Sequence, residues 1–135
     1  MSGKNLQDFQ DLLMDKKAIC TVAINRPNQS PHLTPVWFEV TQENFNNKEL
    51  TFNTLQGRVK ANLLKAGTKI SINIIDPDQP SRYLSIDGTV EKLVSGEEGI
   101  KHINKLSRKY TGHDADFLEP GNERIKYIVK MNQFY

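Results

Sequence analysis

The feature that most constrains this chain is a repeated alternation of apolar and polar residues. The alternation is clearest where Ile70, Ile72 and Ile74 are separated by Ser71 and Asn73. Because successive side chains of a β-strand point to opposite faces, a period of two indicates strands with one buried face. The six predicted strands run from residue 18 to the turn at 26–30 and over residues 31–40, 49–54, 69–75, 83–94 and 124–132.

A segment with helical spacing at residues 6–15 precedes these strands, and two more, at residues 58–66 and 97–110, interrupt them. A parallel sheet would need a helix in nearly every connection, whereas most connections here are short and rich in turn formers. The pattern therefore predicts a mainly β fold, a six-stranded antiparallel β-barrel with flanking helices. A chain of 135 residues has the size of one domain, so we expect residues 1–135 to form a single domain.

Composition argues against several classes of function. Eighteen basic and sixteen acidic residues leave a net charge of +2, which is too small to indicate nucleic-acid binding. The single cysteine, Cys20, lies in an apolar run and is predicted to be a buried thiol. His32, His102 and His113 lack the spacing of metal ligands, so no metal site is expected. No segment reads as a signal peptide or a membrane span, so we expect a cytoplasmic protein with no membrane partner.

The segment 52–63 is the most informative for function. A strand ends there, Gly57 allows a turn, and the next helix begins with Arg58 and Lys60 in its first turn. Cations oppose the helix dipole at this end by a few tenths to about 1 kcal/mol, so the pair favours a bound anion. We predict a phosphate held by Arg58, Lys60 and the hydroxyl of Thr54. The alternative is that both cations are ordinary solvated side chains.

Two further segments have features of a ligand site. Pro35 interrupts a strand and shares a face with Trp37, which is typical of an edge where backbone groups meet an apolar wall. Trp37 equally suits a core or an interface. The proline-stiffened loop 76–82 presents Arg82 and Tyr83 at the start of a strand, where Tyr83 suits either a ligand contact or interfacial packing.

The helix at 97–110 carries mainly surface residues apart from one apolar stripe. His102 is predicted to be solvated. The basic residues of this helix are predicted to form a solvated face: Lys101, Lys105, Arg108 and Lys109.

Taken together, these segments have an order and spacing that no single motif provides. The stretches that matter most are Thr34-Pro35-Val36-Trp37-Phe38, Phe52-Asn53-Thr54, Gly57-Arg58-Val59-Lys60 and Arg82-Tyr83-Leu84, with further stretches at 18–23, 30–31, 62–63, 76–78 and 109–112.

In that order they resemble the pyridoxamine 5'-phosphate oxidase-like, FMN-binding split-barrel family, and within it the branch of enzymes that depend on the deazaflavin coenzyme F420. The resemblance covers nearly the whole chain. It implies a homodimer with a flavin-type cofactor in each cleft between subunits. It also implies that Arg58 and Lys60 bind the cofactor phosphate beside Asn53 and Thr54. The strand carrying Thr34, Pro35, Val36 and Trp37 would contact the ring. Arg82 and Tyr83 would lie at the rim of the cleft, contributed either by the same chain or by the partner chain.

The resemblance further implies an oxidoreductase that uses coenzyme F420, or FMN, to pass a hydride to or from a small organic substrate. The basic, histidine-containing segment with which true pyridoxamine-phosphate oxidases bind their substrate has no counterpart in residues 128–135. Vitamin B6 oxidation is therefore not expected. An FMN-dependent oxidoreductase or flavin reductase and a non-catalytic flavin or F420 carrier remain alternatives. No catalytic acid or base is assigned, because the cofactor carries the hydride chemistry.

Overall fold

A computed structural model of the chain describes residues 3–55, 62–119 and 123–135. Within these residues one antiparallel sheet contains seven strands in the order β2-β1-β5-β6-β7-β4-β3. The mainly β, antiparallel prediction is confirmed. The strands are β1 (Cys20–Arg26), β2 (Gln29–Val36), β3 (Phe38–Glu39), β4 (Glu49–Leu55), β5 (Lys69–Ile75), β6 (Tyr83–Val94) and β7 (Arg124–Phe134).

The count of six strands is wrong, because the predicted strand at 31–40 divides in two. Its first part, β2, pairs with β1 up to the Val36–Cys20 pair. After Trp37 the chain joins β4 instead, with Phe38 opposite Phe52. β2 and β3 are the two terminal strands of the sheet, yet a single residue connects them. The sheet must therefore curl until its edges meet, which makes it a barrel.

The alternating residues fill the inside of this barrel. Cys20 and Val22 of β1 lie opposite Ile74 and Ile72 of β5, and all four side chains are buried. Because paired residues of neighbouring strands point to the same face, the period of two in each strand produces one continuous core. The prediction that Cys20 is a buried thiol is confirmed.

Short helices flank the sheet. A 3-10 helix (Leu6–Phe9), capped by the Asn5 side chain, leads into α1 (Gln10–Met14), and these together form the first predicted helix. The helix α2 (Gln42–Asn47) was not predicted, since its stability comes from a capping box between Thr41 and Asn44 rather than from an apolar stripe. Residues 58–61 of the predicted helix at 58–66 lie outside the described residues; of the remainder, residues 62 and 63 are helical and residues 64–66 are not.

The longest helix, α3 (Glu97–Thr111), packs against β7 and β4. Gly99 makes this packing possible, because a Cβ on it would lie 1.9 Å from the carbonyl oxygen of Arg124. The start of α3 is thereby held against the start of β7. No helix among the described residues is long and apolar enough to cross a membrane.

Candidate functional site

A cleft of about 450 Å³ opens between α3, the start of β7 and the end of β2. Its volume lies within the range of small-molecule sites. Most of its walls are apolar or aromatic, and two polar side chains stand among them. The described lining residues are Ile19, Pro35, Val36, Trp37, Asn53, Ile103, Leu106, Phe117 and Arg124.

One wall of the cleft is aromatic. The Trp37 ring lies parallel to Tyr110, with centroids 5.2 Å apart and an interplanar angle of 6°. Phe117 approaches Trp37 edge-on at 6.2 Å. Tyr110 is itself fixed, because its hydroxyl donates to the carbonyl of Ala18. Trp37 therefore presents a rigid flat surface on which another planar group can stack.

The polar edge of the cleft is built from Arg124 and Asn53. The Arg124 Nε donates to the Asn53 Oδ1 over 2.9 Å. The Asn53 Nδ2 donates to the Gly99 carbonyl over 3.0 Å. Since a guanidinium can only donate and a carbonyl can only accept, these two contacts fix which way the amide of Asn53 points.

The fixed amide also determines the protonation state of His102. Its Nδ1 lies 3.1 Å from the Asn53 Nδ2, which is a donor, so Nδ1 must accept. Its Nε2 lies 3.0 Å from the Thr51 Oγ1, which itself donates to the Glu39 carbonyl. The ring is therefore neutral, with its proton on Nε2.

The surroundings of His102 favour the same neutral state. Burial lowers the pKa of His102 from its ordinary 6.5 to about 3, and the nearby cations Lys126, Lys105 and Arg124 lower it further in the same direction. The side chain is 4% exposed, so the prediction that His102 is solvated is wrong. It is an internal part of the polar network behind the cleft.

The prediction that the basic residues of α3 form a solvated face is correct only in part. Lys101, Lys105 and Arg108 are exposed, and Lys105 pairs with Glu39 at 3.0 Å. Lys109 is half-buried and donates to the Phe38 carbonyl over 3.1 Å. Its burial lowers the pKa of the ammonium group.

The structure brings together four of the ten predicted site residues. Pro35, Val36, Trp37 and Asn53 line the cleft. Thr34 is half-buried and lies on the opposite face of β2 from Pro35.

The residues predicted to bind phosphate are placed less completely. Thr54 is 2% exposed and lies on the opposite face of β4 from Asn53. Its hydroxyl has no hydrogen-bond partner among the described residues. Arg58 and Lys60 lie outside the described residues.

Arg82 and Tyr83 lie away from the cleft within this chain. The Arg82 guanidinium bonds to the Asp11 and Asp76 carboxylates at 2.7 Å each and ties the N-terminal helix to the start of β6. Hydrogen bonds from Lys16, which are the largest cause, from the Asp78 backbone and from Arg82 hold the pKa of Asp76 well below its usual range. Tyr83 lies on the outer face of the sheet, where the Lys4 ammonium lies 3.6 Å from the centre of its ring. Their role at a partner's cleft stays a prediction.

Several lining residues were not predicted from the sequence. Arg124 was counted as the first residue of a strand, and Phe117 lay in a loop without a motif. The signal that could have revealed Arg124 is a cation that begins an otherwise regular buried strand. Phe117 could have been noticed in the sequence as an isolated aromatic residue in a polar segment. In the structure its side chain is 47% exposed. No cluster of His, Cys, Asp and Glu suited to a metal ion occurs in the described ranges.

Comparison with known proteins gives a family and a fold. A family model described as pyridoxamine 5'-phosphate oxidase matches residues 6–129. No match is found among curated proteins. A solved F420 reductase shares 26% identity, with 93% of this chain and 94% of that chain covered and a TM-score of 0.77.

Two solved FAD-binding proteins are more distant in sequence. One, from Mesorhizobium loti, shares 15% identity, with 98% of this chain and 94% of its own covered and a TM-score of 0.64. The other, from Mycobacterium smegmatis, shares 14% identity, with 98% of both chains covered and a TM-score of 0.57. Their likeness establishes the fold, and the predicted split barrel is confirmed.

Proposed function

This chain belongs to the pyridoxamine 5'-phosphate oxidase family, and we propose that it is an oxidoreductase that binds coenzyme F420, or FMN, in the cleft beside Trp37. Its reaction passes a hydride between the cofactor and a small organic substrate. The family and the solved structures together support a flavin-type cofactor and oxidoreductase-like chemistry.

The observation that carries this proposal is the composition of the cleft walls. A flavin or deazaflavin ring is planar, apolar over most of its surface and polar along one edge. Trp37, Pro35 and Phe117 offer flat apolar surface, while Asn53 and Arg124 offer hydrogen-bonding groups at one side. β2 is one of the two terminal strands of the sheet, and no other strand of the described chain pairs with its outer backbone edge. These features fit the ring.

The cofactor phosphate is assigned to Arg58 and Lys60. The assignment rests on the sequence, because both residues lie outside the described residues. Thr54, the third predicted ligand, has a buried hydroxyl with no hydrogen-bond partner among the described residues. This hydroxyl lies on the face of β4 opposite Asn53 and the cleft, so the phosphate site is proposed on the two cations alone.

Either cofactor, when bound, supplies the hydride chemistry. The residues of this chain then have three tasks: they bind the ring, orient it and exclude water from one side. The apolar wall formed by Trp37, Ile103, Leu106 and Phe117 serves the last of these. The 26% identity with the F420 reductase supports F420 as a candidate cofactor.

A second copy of the chain is proposed to complete the cleft. The large apolar side chains Ile19, Leu33, Ile75 and Tyr83 are 42%, 65%, 51% and 44% exposed. The register of the strands places Leu33, Ile75 and Tyr83 on the outer face of the sheet, since Leu33 pairs with Ala23 and Ile75 with Tyr83. Ile19 also lines the cleft, so a partner on this face would border the cofactor.

The test is a calorimetric titration of the full chain with FMN, with riboflavin, which lacks the phosphate, and with F420. We expect the wild-type protein to bind FMN more tightly than riboflavin. Arg58→Ala and Lys60→Ala should each weaken FMN binding by about 1.5–3 kcal/mol, roughly tenfold or more, with little change in riboflavin binding or thermal stability.

Lys101→Ala, which removes an exposed lysine of α3, is the matched control and should bind FMN normally. Binding of neither FMN nor F420 would remove the proposal. Tight binding without catalytic turnover would identify a cofactor carrier instead. Unchanged FMN binding by both variants would show that the phosphate lies elsewhere.

A further inference from the structure

The side-chain amide of Asn53 lines the cleft, yet both of its hydrogens are used inside the protein. Its Nδ2 lies 3.0 Å from the Gly99 carbonyl oxygen and 3.1 Å from the His102 Nδ1. An NH₂ group has two hydrogens, and each of these two atoms accepts one of them. Asn53 therefore has no donor left for a ligand in the cleft.

The Oδ1 of the same amide has capacity left. An amide oxygen has two lone pairs. Among the residues that the structure describes, Oδ1 accepts one bond, from the Arg124 Nε over 2.9 Å. Asn53 is 5% exposed, so this oxygen lies in surroundings where an unmatched polar group is costly. What Asn53 offers to a ligand is therefore a single acceptor.

The orientation of the amide is determined by its partners. Turning it over would place Nδ2 against the Arg124 Nε, which is another donor, and Oδ1 against the Gly99 carbonyl, which is another acceptor. His102 opposes the same rotation, because its proton lies on Nε2, towards the Thr51 Oγ1, and its Nδ1 needs a donor. The packing of α3 against β4 thus makes Asn53 an acceptor in the cleft.

One ring group that FMN and F420 share matches such an acceptor. The pyrimidine end of both rings carries an imide N–H between two carbonyl groups. The carbonyl oxygens themselves and the unprotonated ring nitrogens are acceptors, so they would meet Oδ1 with no hydrogen between them. A donor placed there instead makes a hydrogen bond with the lone pair that Asn53 has left.

We propose that the pyrimidine end of the cofactor ring faces Asn53, whose Oδ1 accepts a hydrogen bond from the imide N–H, and that His102 is the positioning residue that keeps the amide in this orientation. The proposal rests on the proposed function, because it states how the cofactor of the same site is oriented. It requires no further contact from Arg124.

FMN labelled with nitrogen-15 at its imide position tests this contact in the loaded protein by NMR. In free FMN the imide proton exchanges rapidly with water at neutral pH, which broadens its signal. We expect a sharp imide signal in the complex, because a proton that is hydrogen-bonded in a closed site exchanges slowly. The same proton should show a nuclear Overhauser effect to the side-chain NH₂ of Asn53.

Asn53→Ala should restore rapid exchange of the imide proton. It should also weaken the binding of FMN and of F420 by the same factor, about fivefold, as expected for one neutral hydrogen bond. Equal factors are expected because the two cofactors share the imide.

Two variants test the positioning role of His102. His102→Leu leaves one hydrogen of the Asn53 amide without an acceptor, so it should move and broaden the imide signal. His102→Gln again supplies both an acceptor and a donor, so its imide signal should return towards the wild-type position. A purely structural role for His102 would lower the stability of both variants and leave the imide signal where it is in the wild-type complex.

Lys101→Gln, at an exposed lysine of α3, is the control and should leave the imide signal unchanged. An imide proton that exchanges as rapidly in the wild-type complex as in free FMN would overturn the proposal, as would an imide signal that Asn53→Ala does not affect. If Asn53→Ala does not fold, the wild-type complex decides, because a missing Overhauser effect between the imide proton and Asn53 would overturn the proposal.

Failure of this inference can be distinguished from failure of the proposed function. If the protein binds FMN or F420 but the imide proton lies away from Asn53, only the orientation of the ring is wrong. If it binds neither cofactor, the proposed function fails and this inference fails with it.

Discussion

His102 shows how a single residue was misread from the sequence and what its burial implies. The buried stripe of α3 contains Gly99, His102, Ile103, Leu106 and Ser107, which is a regular helical pattern. Three of these residues are small or polar, so the apolar stripe predicted from the sequence, Ile100, Ile103, Leu106 and Tyr110, shares only Ile103 and Leu106 with the buried stripe and left His102 in solvent. Only the contacts with Asn53 and Thr51, which are distant in sequence, reveal that the position is internal.

The burial of His102 predicts a specific dependence of stability on pH. Its pKa is depressed in the folded protein, so between about pH 6.5 and pH 3 the unfolded chain binds the proton and the folded chain does not. The free energy of unfolding should therefore fall as the pH falls through this window, by on the order of 2–3 kcal/mol between pH 7 and pH 4. Asp76 acts in a lower window, because its depressed pKa makes its contribution disappear only below the ordinary value of 3.8.

Urea unfolding of the wild-type protein and of His102→Gln, measured from pH 7 to pH 4, checks this expectation. The variant should be less stable at pH 7 and should show a flatter profile. His113→Gln, at an exposed histidine, is the matched control and should keep the wild-type slope. Parallel profiles for His102→Gln and the wild-type protein would contradict the assignment.

At the scale of single elements, the sequence predicted strands better than it predicted their partners. The alternation in residues 69–75 and 83–94 gave β5 and β6 their observed bounds, because one buried face leaves a regular pattern. The change of partner at Trp37 left no such pattern, since β2 and β3 each continue the same alternation. The cleft depends on this change, because it places Trp37 between the two sheet edges.

Gly99 is the point at which one element positions another. A Cβ at this residue would meet the Arg124 carbonyl at 1.9 Å, so Gly99→Ala must push α3 away from β7. In an exposed helix the same substitution would stabilise the protein by up to about 1 kcal/mol. Here we expect a net loss of about 1–3 kcal/mol in the free energy of unfolding, together with a change in the NMR chemical shift of the Trp37 indole N–H.

Chemical denaturation of Gly99→Ala is compared with that of Lys101→Ala, a control at an exposed position of the same helix. The comparison separates the effect of alanine on helix propensity from the loss of packing between α3 and β7. A Gly99→Ala protein as stable as the wild type would show that α3 does not pack closely on β7.

At the scale of the whole molecule, the order of the segments was sufficient to predict the family and the barrel. The cleft was predicted only in part, because it joins residues of β2, β4, α3 and β7 that are far apart in sequence. Arg124 and Phe117 belong to no local motif, and their role follows from the tertiary structure alone.

The exposed apolar face predicts the assembly state. If a second copy covers Leu33 and Ile75, the wild-type protein should sediment as a dimer, and Leu33→Asp should raise the dissociation constant at least about tenfold, because it buries an unpaired charge. Analytical ultracentrifugation over a range of concentrations measures this directly. Lys101→Asp, away from that face, should remain dimeric. A wild-type protein that stays monomeric at all concentrations would contradict the proposed partner.

The central claim is that a flavin-type ring binds against Trp37. Because Trp37 is the single tryptophan, its fluorescence during titration with FMN or F420 reports on that wall alone. We predict strong, saturable quenching with the same dissociation constant that calorimetry gives for the cofactor. Cofactor binding that leaves the tryptophan emission unchanged would place the ring elsewhere and contradict the account.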